Sequence, residues 1–199
     1  IIGMSGDSLF YDISGNNKKL VHREVGGKGY NQAIACIRNG VNVSYLTAVG
    51  DDEVGKMLED FMQKEGIDTF FSKKNKPSLA AQILVDSEGN NTVLYDRNNV
   101  SELDSNDVYE FESEIMRSDC LLLQYEYKEE VIKTAIKIAK KYGKLVVVNP
   151  APMIYPDINL INGADIITPN EEEAYKLFGL YRKKSFDYIV KEEQKSDFK

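Results

Sequence analysis

Two short runs constrain the fold more than any other feature of the chain. Cys120–Gln124 reads CLLLQ and Leu145–Val148 reads LVVV, without apolar-polar alternation. A strand with one face in water alternates; a run apolar throughout suits a strand covered on both faces, as in a parallel sheet. Between the two runs, Glu129–Tyr142 places Val131, Ala135, Ile138, Ala139 and Tyr142 at helical spacing, and Gly143 follows as a stop. Strand, helix, strand in that order is the right-handed parallel crossover unit.

The same alternation fills most of the chain. Ile1–Gly6 reads as a short apolar strand, and Ser14–Lys19 (SGNNKK) as a turn. Asn31–Asn39 is a helix with Ala33, Ile34 and Ile37 inward, ended by Gly40. Val41–Ala48 is a β-branched strand, Glu53–Glu65 an amphipathic helix ended by Gly66, and Ile67–Phe71 a strand. Leu79–Val85 and Thr92–Asp96 flank DSEGNN and read as a hairpin, which breaks the alternation and suggests a separate flap. Asp104 or Ser105 caps a helix running to about Met116. Ile166–Ile167 is a short strand leading into the helix of TPNEEEAYKLFG, closed by Gly179, and Ser185–Glu193 reads as one more helix. The pattern predicts an α/β fold with a mostly parallel sheet, whose ligands sit beyond the carboxyl ends of the strands.

Composition narrows the function. A net charge of −7 and a pI of about 4.9 argue against nucleic acid or an anionic membrane as the main partner. No run approaches the roughly 18 apolar residues of a membrane span, and no signal-peptide pattern opens the chain. Cys36 and Cys120 lie far apart inside apolar periodic segments, which predicts buried reduced thiols, and no Cys/His spacing suits a metal. The single histidine, His22, lacks a triad partner in sequence and reads as a surface or hinge residue. The chain opens at Ile1, within an apolar run and without Met, and so reads as a portion of something longer.

Residues 25–32 read VGGKGYNQ. A Walker loop requires a hydroxyl after the lysine and a glycine five residues before its second glycine; here those positions hold Gly29 and His22. The dinucleotide fingerprint fails at Gln32. What survives is a geometry. Gly26, Gly27 and Gly29 let backbone pass close to a ligand, the following helix offers free N–H groups, and Lys28 and Asn31 add donors. Such a corner suits a polyhydroxyl ligand or a phosphate. It equally suits a tight turn with a solvated lysine.

The loop is one of five motifs: GGKGYNQA (26–33), AVGDDEVG (48–55), LLLQYE (121–126), NPAP (149–152) and TPNEEEA (168–174). In this order they resemble the ribokinase-like family of sugar and nucleoside kinases, from Ile1 to about Gly179. The resemblance implies a three-layer fold with helices on both faces of the sheet and a small β lid, here the hairpin at about 79–97. It implies that Gly27, Lys28, Gly29 and Asn31 clamp sugar hydroxyls and that Glu126 holds a further hydroxyl. Asn170 would face ATP phosphates, and Glu173 would help organise Mg2+ and its waters, with a monovalent cation as a further cofactor of the family. Glu126 also suits a solvated strand end, and Glu171, Glu172 and Glu173 a helix start favoured by the macrodipole. A cytoplasmic ATP-dependent carbohydrate kinase is implied, ribose being the first candidate substrate and lid-to-lid pairing a route to a homodimer.

The chain departs from the family in two places. The family's sugar-binding aspartate lies five residues after a glycine; Asp7 is four after Gly3 and Asp12 six after Gly6, and the reading leans to Asp12. The segment from there to GGKG also looks short for a pair of lid strands. The Gly-Ala-Gly-Asp turn that supplies the family's catalytic base is absent, and the later aspartates Asp187 and Asp197 follow no glycine turn. Residues 1–199 therefore read as the sugar-binding part of a kinase, with the ATP-binding part beyond Lys199 and little turnover of their own. The alternatives are a non-catalytic sugar-binding or regulatory module and an α/β fragment without activity.

Overall fold

The computed structural model describes residues 1–14, 19–153 and 158–178, and the chain divides into two compact units, Ile1–Leu103 and Asp104–Lys199. The helix expected at Ser185–Glu193 and the glycine stop at Gly179 lie outside the described residues. Among the described residues no helix is long and apolar enough to cross a membrane.

The first unit carries two sheets. Strands β1 (Gly6–Asp12), β2 (Lys19–Gly26), β5 (Ala80–Val85) and β6 (Asn91–Leu94) form a four-stranded sheet in the order β2-β1-β5-β6. β1 runs antiparallel to β2 and parallel to β5, and β5 pairs antiparallel with β6. The segment from Asp12 to GGKG that looked short for two strands supplies one of them, β2, and β1 lies just before it. The expected strand Ile1–Gly6 is also corrected. Its apolar head lies parallel to β3 (Ser44–Gly50), with Gly3 N–H donating to Leu46 O (3.2 Å) and Leu46 N–H to Ile1 O (2.9 Å), while the true strand starts at Gly6. Tyr45, fully buried, clips this head by donating its hydroxyl to Gly3 O at 2.9 Å. Strand β3 pairs in parallel with β4 (Asp68–Lys74).

Helices α1 (Lys28–Arg38) and α2 (Glu53–Lys64) cover this pair. Ala33 and Ile34 of α1 and Leu58 and Met62 of α2 meet Val43, Tyr45, Val49 and Ile67 in one core. Val25, at the root of β2, belongs to that core, so the outer sheet is rooted in it. Four residues beyond, Val21 is 56% exposed.

In the second unit β7 (Cys120–Gln124), β8 (Leu145–Asn149) and β9 (Ile166–Ile167) are parallel neighbours in that order. Helix α5 (Glu129–Lys141) buries Val131, Ile132, Ala135, Ile136, Ile138 and Ala139, the stripe its periodicity predicts. The helix expected from Asp104 to Met116 is broken at buried Phe111 into α3 (Ser105–Glu110) and α4 (Glu112–Arg117). Asp104 does cap it, in a reciprocal box with Asp107. Cys120 is exposed rather than buried, because it opens β7 at its amino end, and Cys36 is half-buried. The class is α/β, with parallel pairing in both units.

Candidate functional site

The glycine turn stands where β2 runs into α1. Gly27 caps the helix with φ 105°, a left-handed conformation that an L side chain rarely adopts, and it offers no side-chain cap. A Cβ on Gly27 would lie 2.3 Å from Met4 O, and one on Gly26 would lie 2.3 Å from Ser8 Oγ. At Gly27 the protein's own backbone leaves no room for a side chain, whereas at Gly26 the near neighbour is the end of the Ser8 side chain. That gives Gly27 a reason within the fold itself, beside the close approach read from the sequence.

At the start of α1, Tyr30 N–H reaches Met4 O at 3.4 Å and Asn31 N–H returns to Gly27 O at 2.9 Å. Among the described residues nothing accepts from the N–H groups of Lys28 and Gly29. Lys28 and Asn31 both present exposed side chains. Two open amides, an ammonium and a carboxamide on one helical turn form a donor-rich corner.

The two candidate aspartates part company. Asp12 is exposed at the outer end of β1, opposite Lys19, roughly 20 Å along the strand from Gly6 at ~3.3 Å per residue. Ser14 caps it through its N–H (2.9 Å) and hydroxyl (2.6 Å), which hold its carboxyl below the usual aspartate range. The fold does not bring Asp12 to the glycine turn. Asp7 is 3% exposed at the root of the sheet, opposite Val25, and takes Arg23 Nε on both oxygens at 2.9 and 3.0 Å.

In the second unit the polar groups gather at the carboxyl ends of β7 and β8, as the parallel arrangement requires. Gln124 and Asn149 are register partners, and Tyr125 N–H donates to Ala151 O at 3.1 Å. Gln124 Oε1, Glu126 Oε2 and Asn149 Oδ1 are all buried, and among the described residues Asn149 Oδ1 accepts no hydrogen bond. A buried acceptor left so costs about 1–3 kcal/mol and marks a place for a donor. The strand-end run NPAP held this signal only as a motif; burial makes it physical.

Asn170 and Glu173 open α6 (Glu171–Leu177) as a reciprocal capping box. Glu173 N–H donates to Asn170 Oδ1 at 2.8 Å, and Asn170 N–H donates to Glu173 Oε2 at 2.9 Å. One oxygen of each is thus used locally. Among the described residues no group of three or more His, Cys, Asp or Glu side chains is placed to hold a metal ion. A hydrated hard cation needs only one or two carboxylates from the protein, and Glu173 keeps one oxygen outside the box.

A family model for pfkB family carbohydrate kinases matches residues 6–194. The chain belongs to this family. It is 36% identical over 170 residues to a ribokinase of Haemophilus influenzae, a match covering 84% of this chain and 55% of the relative. It is 31% identical over 158 residues to a deoxyribokinase of Salmonella typhimurium, covering 78% of this chain and 52% of that one. The chain thus spans about half the length of these curated relatives. Among solved structures, an Arabidopsis thaliana ribokinase in complex with ribose and ATP superposes with a TM-score of 0.81 at 22% identity, over 98% of this chain and 66% of that one. That likeness establishes the shared fold.

For a member of this family, one residue pair escaped the sequence reading. Asp52, inside AVGDDEVG, caps α2 and also grips Ser78 across the unit. Burial pushes its carboxyl up, but N–H groups of Gly55, Ser78 and Val54 and the Ser78 hydroxyl together bring it below the usual aspartate range. The spacing of Asp52 to Gly55 was available as a helix-cap signal; Ser78 was not.

Proposed function

We propose that this chain is the sugar-holding part of an ATP-dependent carbohydrate kinase, with a pentose as substrate and D-ribose as the first choice. The open helix start at Lys28–Asn31 carries this reading. Hydroxyl oxygens accept from the N–H groups of Lys28 and Gly29 and from Lys28 Nζ, while the Asn31 carboxamide can both donate and accept. For Glu126, in the second unit, a hydroxyl contact is proposed from the family resemblance alone. Asp7, at the root of the sheet, replaces Asp12 as the carboxylate nearer the turn. The outer sheet β2-β1-β5-β6 serves as a lid that excludes water, the competing phosphoryl acceptor. ATP and Mg2+ belong to the complete enzyme; Asn170 Nδ2 and the remaining Glu173 oxygen would meet phosphate and hydrated cation. When bound, the cation offsets charge on the phosphates. The names of the relatives, ribokinase and deoxyribokinase, support a pentose.

Transfer also needs a base for the attacking hydroxyl, and these 199 residues contain no Gly-Ala-Gly-Asp turn. Sugar binding is therefore the property to measure. Isothermal calorimetry with D-ribose and 2-deoxy-D-ribose, without nucleotide, is expected to give saturable heat. Lys28→Ala and Asn31→Ala should each weaken affinity about ten-fold, the size of one or two lost hydrogen bonds. No heat with either sugar, or unchanged affinity in both variants, removes the clamp.

A further inference from the structure

The second motif of the series, AVGDDEVG (48–55), has no part in the proposed clamp, and its contacts within the first unit give it another task. Asp52 Oδ1 accepts from Gly55 N–H at 2.8 Å and from the Ser78 hydroxyl at 2.7 Å, and Oδ2 accepts from Ser78 N–H at 2.7 Å. Ser78 Oγ in turn accepts from Gly50 N–H at 2.9 Å. The motif's glycines make room for this knot. A Cβ on Gly50 would lie 2.5 Å from Lys76 O and 2.7 Å from Ser78 N, and one on Gly55 would lie 2.3 Å from Gly50 O.

Ser78 stands two residues before β5. The return from β6 is tied to the same short stretch. Ser101 N–H donates to Pro77 O at 2.7 Å, the Ser101 hydroxyl donates to Lys76 O, and Lys76 Nζ reaches Asn98 O at 2.7 Å. Strand β1 joins it as well, because Asp7 N–H donates to Leu79 O at 2.9 Å. Both ends of the β5–β6 hairpin and the root of β1 therefore converge on residues 76–79, and Asp52 holds that stretch to the start of α2. Beyond it the sheet opens to solvent, with Val93 and Leu94 of β6 each about half exposed.

We propose that Asp52 and Ser78 are positioning residues that moor the outer sheet to α2 and set where its root stands beside the glycine turn. The value of the mooring for sugar binding rests on the lid reading above; the mooring itself does not. Peptide-resolved amide hydrogen exchange on the whole chain tests it, with Ser78→Ala and Asp52→Asn against wild type. Loss of these bonds is expected to speed exchange about ten-fold or more in β5, β6 and β1, with α1 and α5 unchanged. A uniform acceleration across both units would mean that the pair only adds to overall stability, and no acceleration would mean that it holds nothing; either overturns the proposal. Ser78→Ala keeps the Ser78 N–H bond and so carries the test should Asp52→Asn fail to fold. With D-ribose, the moored-lid model expects about ten-fold weaker binding in Ser78→Ala, and unchanged affinity with a loosened sheet would overturn the positioning role. A wild type that binds no sugar counts against the proposed function alone, because the exchange pattern still decides the mooring.

Discussion

Asn170 and Glu173 show how residues read as a cofactor site can also serve the fold. Each gives one oxygen to the other's backbone N–H, so part of the N-x-x-E pattern is explained by helix capping without any nucleotide. Asn170→Ala should destabilise α6 by about 1 kcal/mol, while Asn170→Asp keeps the cap; thermal unfolding followed by exchange in residues 171–177 separates the two. The glycine turn carries a similar lesson. Gly27 is glycine because φ is 105° and Met4 O occupies the place of a side chain, so its variants report backbone fit, whereas variants of Lys28 and Asn31, both exposed, test the proposed ligand contact. Residue types and spacing were legible in sequence here. What each glycine faces was not, because Met4 and Ser8 approach through the fold, not along the chain.

At the scale of elements, helices α1, α2 and α5 and strands β7 and β8 stand close to where periodicity put them, because 3.6-residue and unbroken apolar patterns are local signals. The outer sheet is different. Its β1–β5 pairing joins parallel strands with β2, α1, β3, α2 and β4 between them in sequence, and periodicity cannot announce a partner so remote. The Asp52 knot that roots it makes a pH prediction. The folded-state carboxyl lies below its ordinary value, so the unfolded chain binds the proton more readily. Its stabilisation is then fully present above the unfolded value near 4 and is lost as pH falls through the lower folded one. The protection of β5 amides, taken relative to intrinsic exchange at the same pH, should fall below about pH 4 in wild type, and much less so in Asp52→Asn, where the carboxylate is already gone. Equal acid sensitivity in both would assign the effect to other groups.

For the whole molecule, binding is linked to stability by mass action. D-ribose at about a hundred times its Kd should add roughly 2.7 kcal/mol and raise Tm by roughly 5–10 °C for a chain of this size, and a sugar that leaves Tm unchanged is not a ligand. By itself the sequence determined the α/β alternation, the order of the five motifs and the candidate clamp, since turn chemistry and periodicity act between near neighbours in the chain. Only the tertiary structure decided that the outer sheet has four strands, that Asp12 stands far from the turn while Asp7 stands near it, and that Ser78 completes the cap of α2. Those facts depend on strand pairing and hydrogen bonds between distant segments, and such partners are selected by the packing of the folded chain.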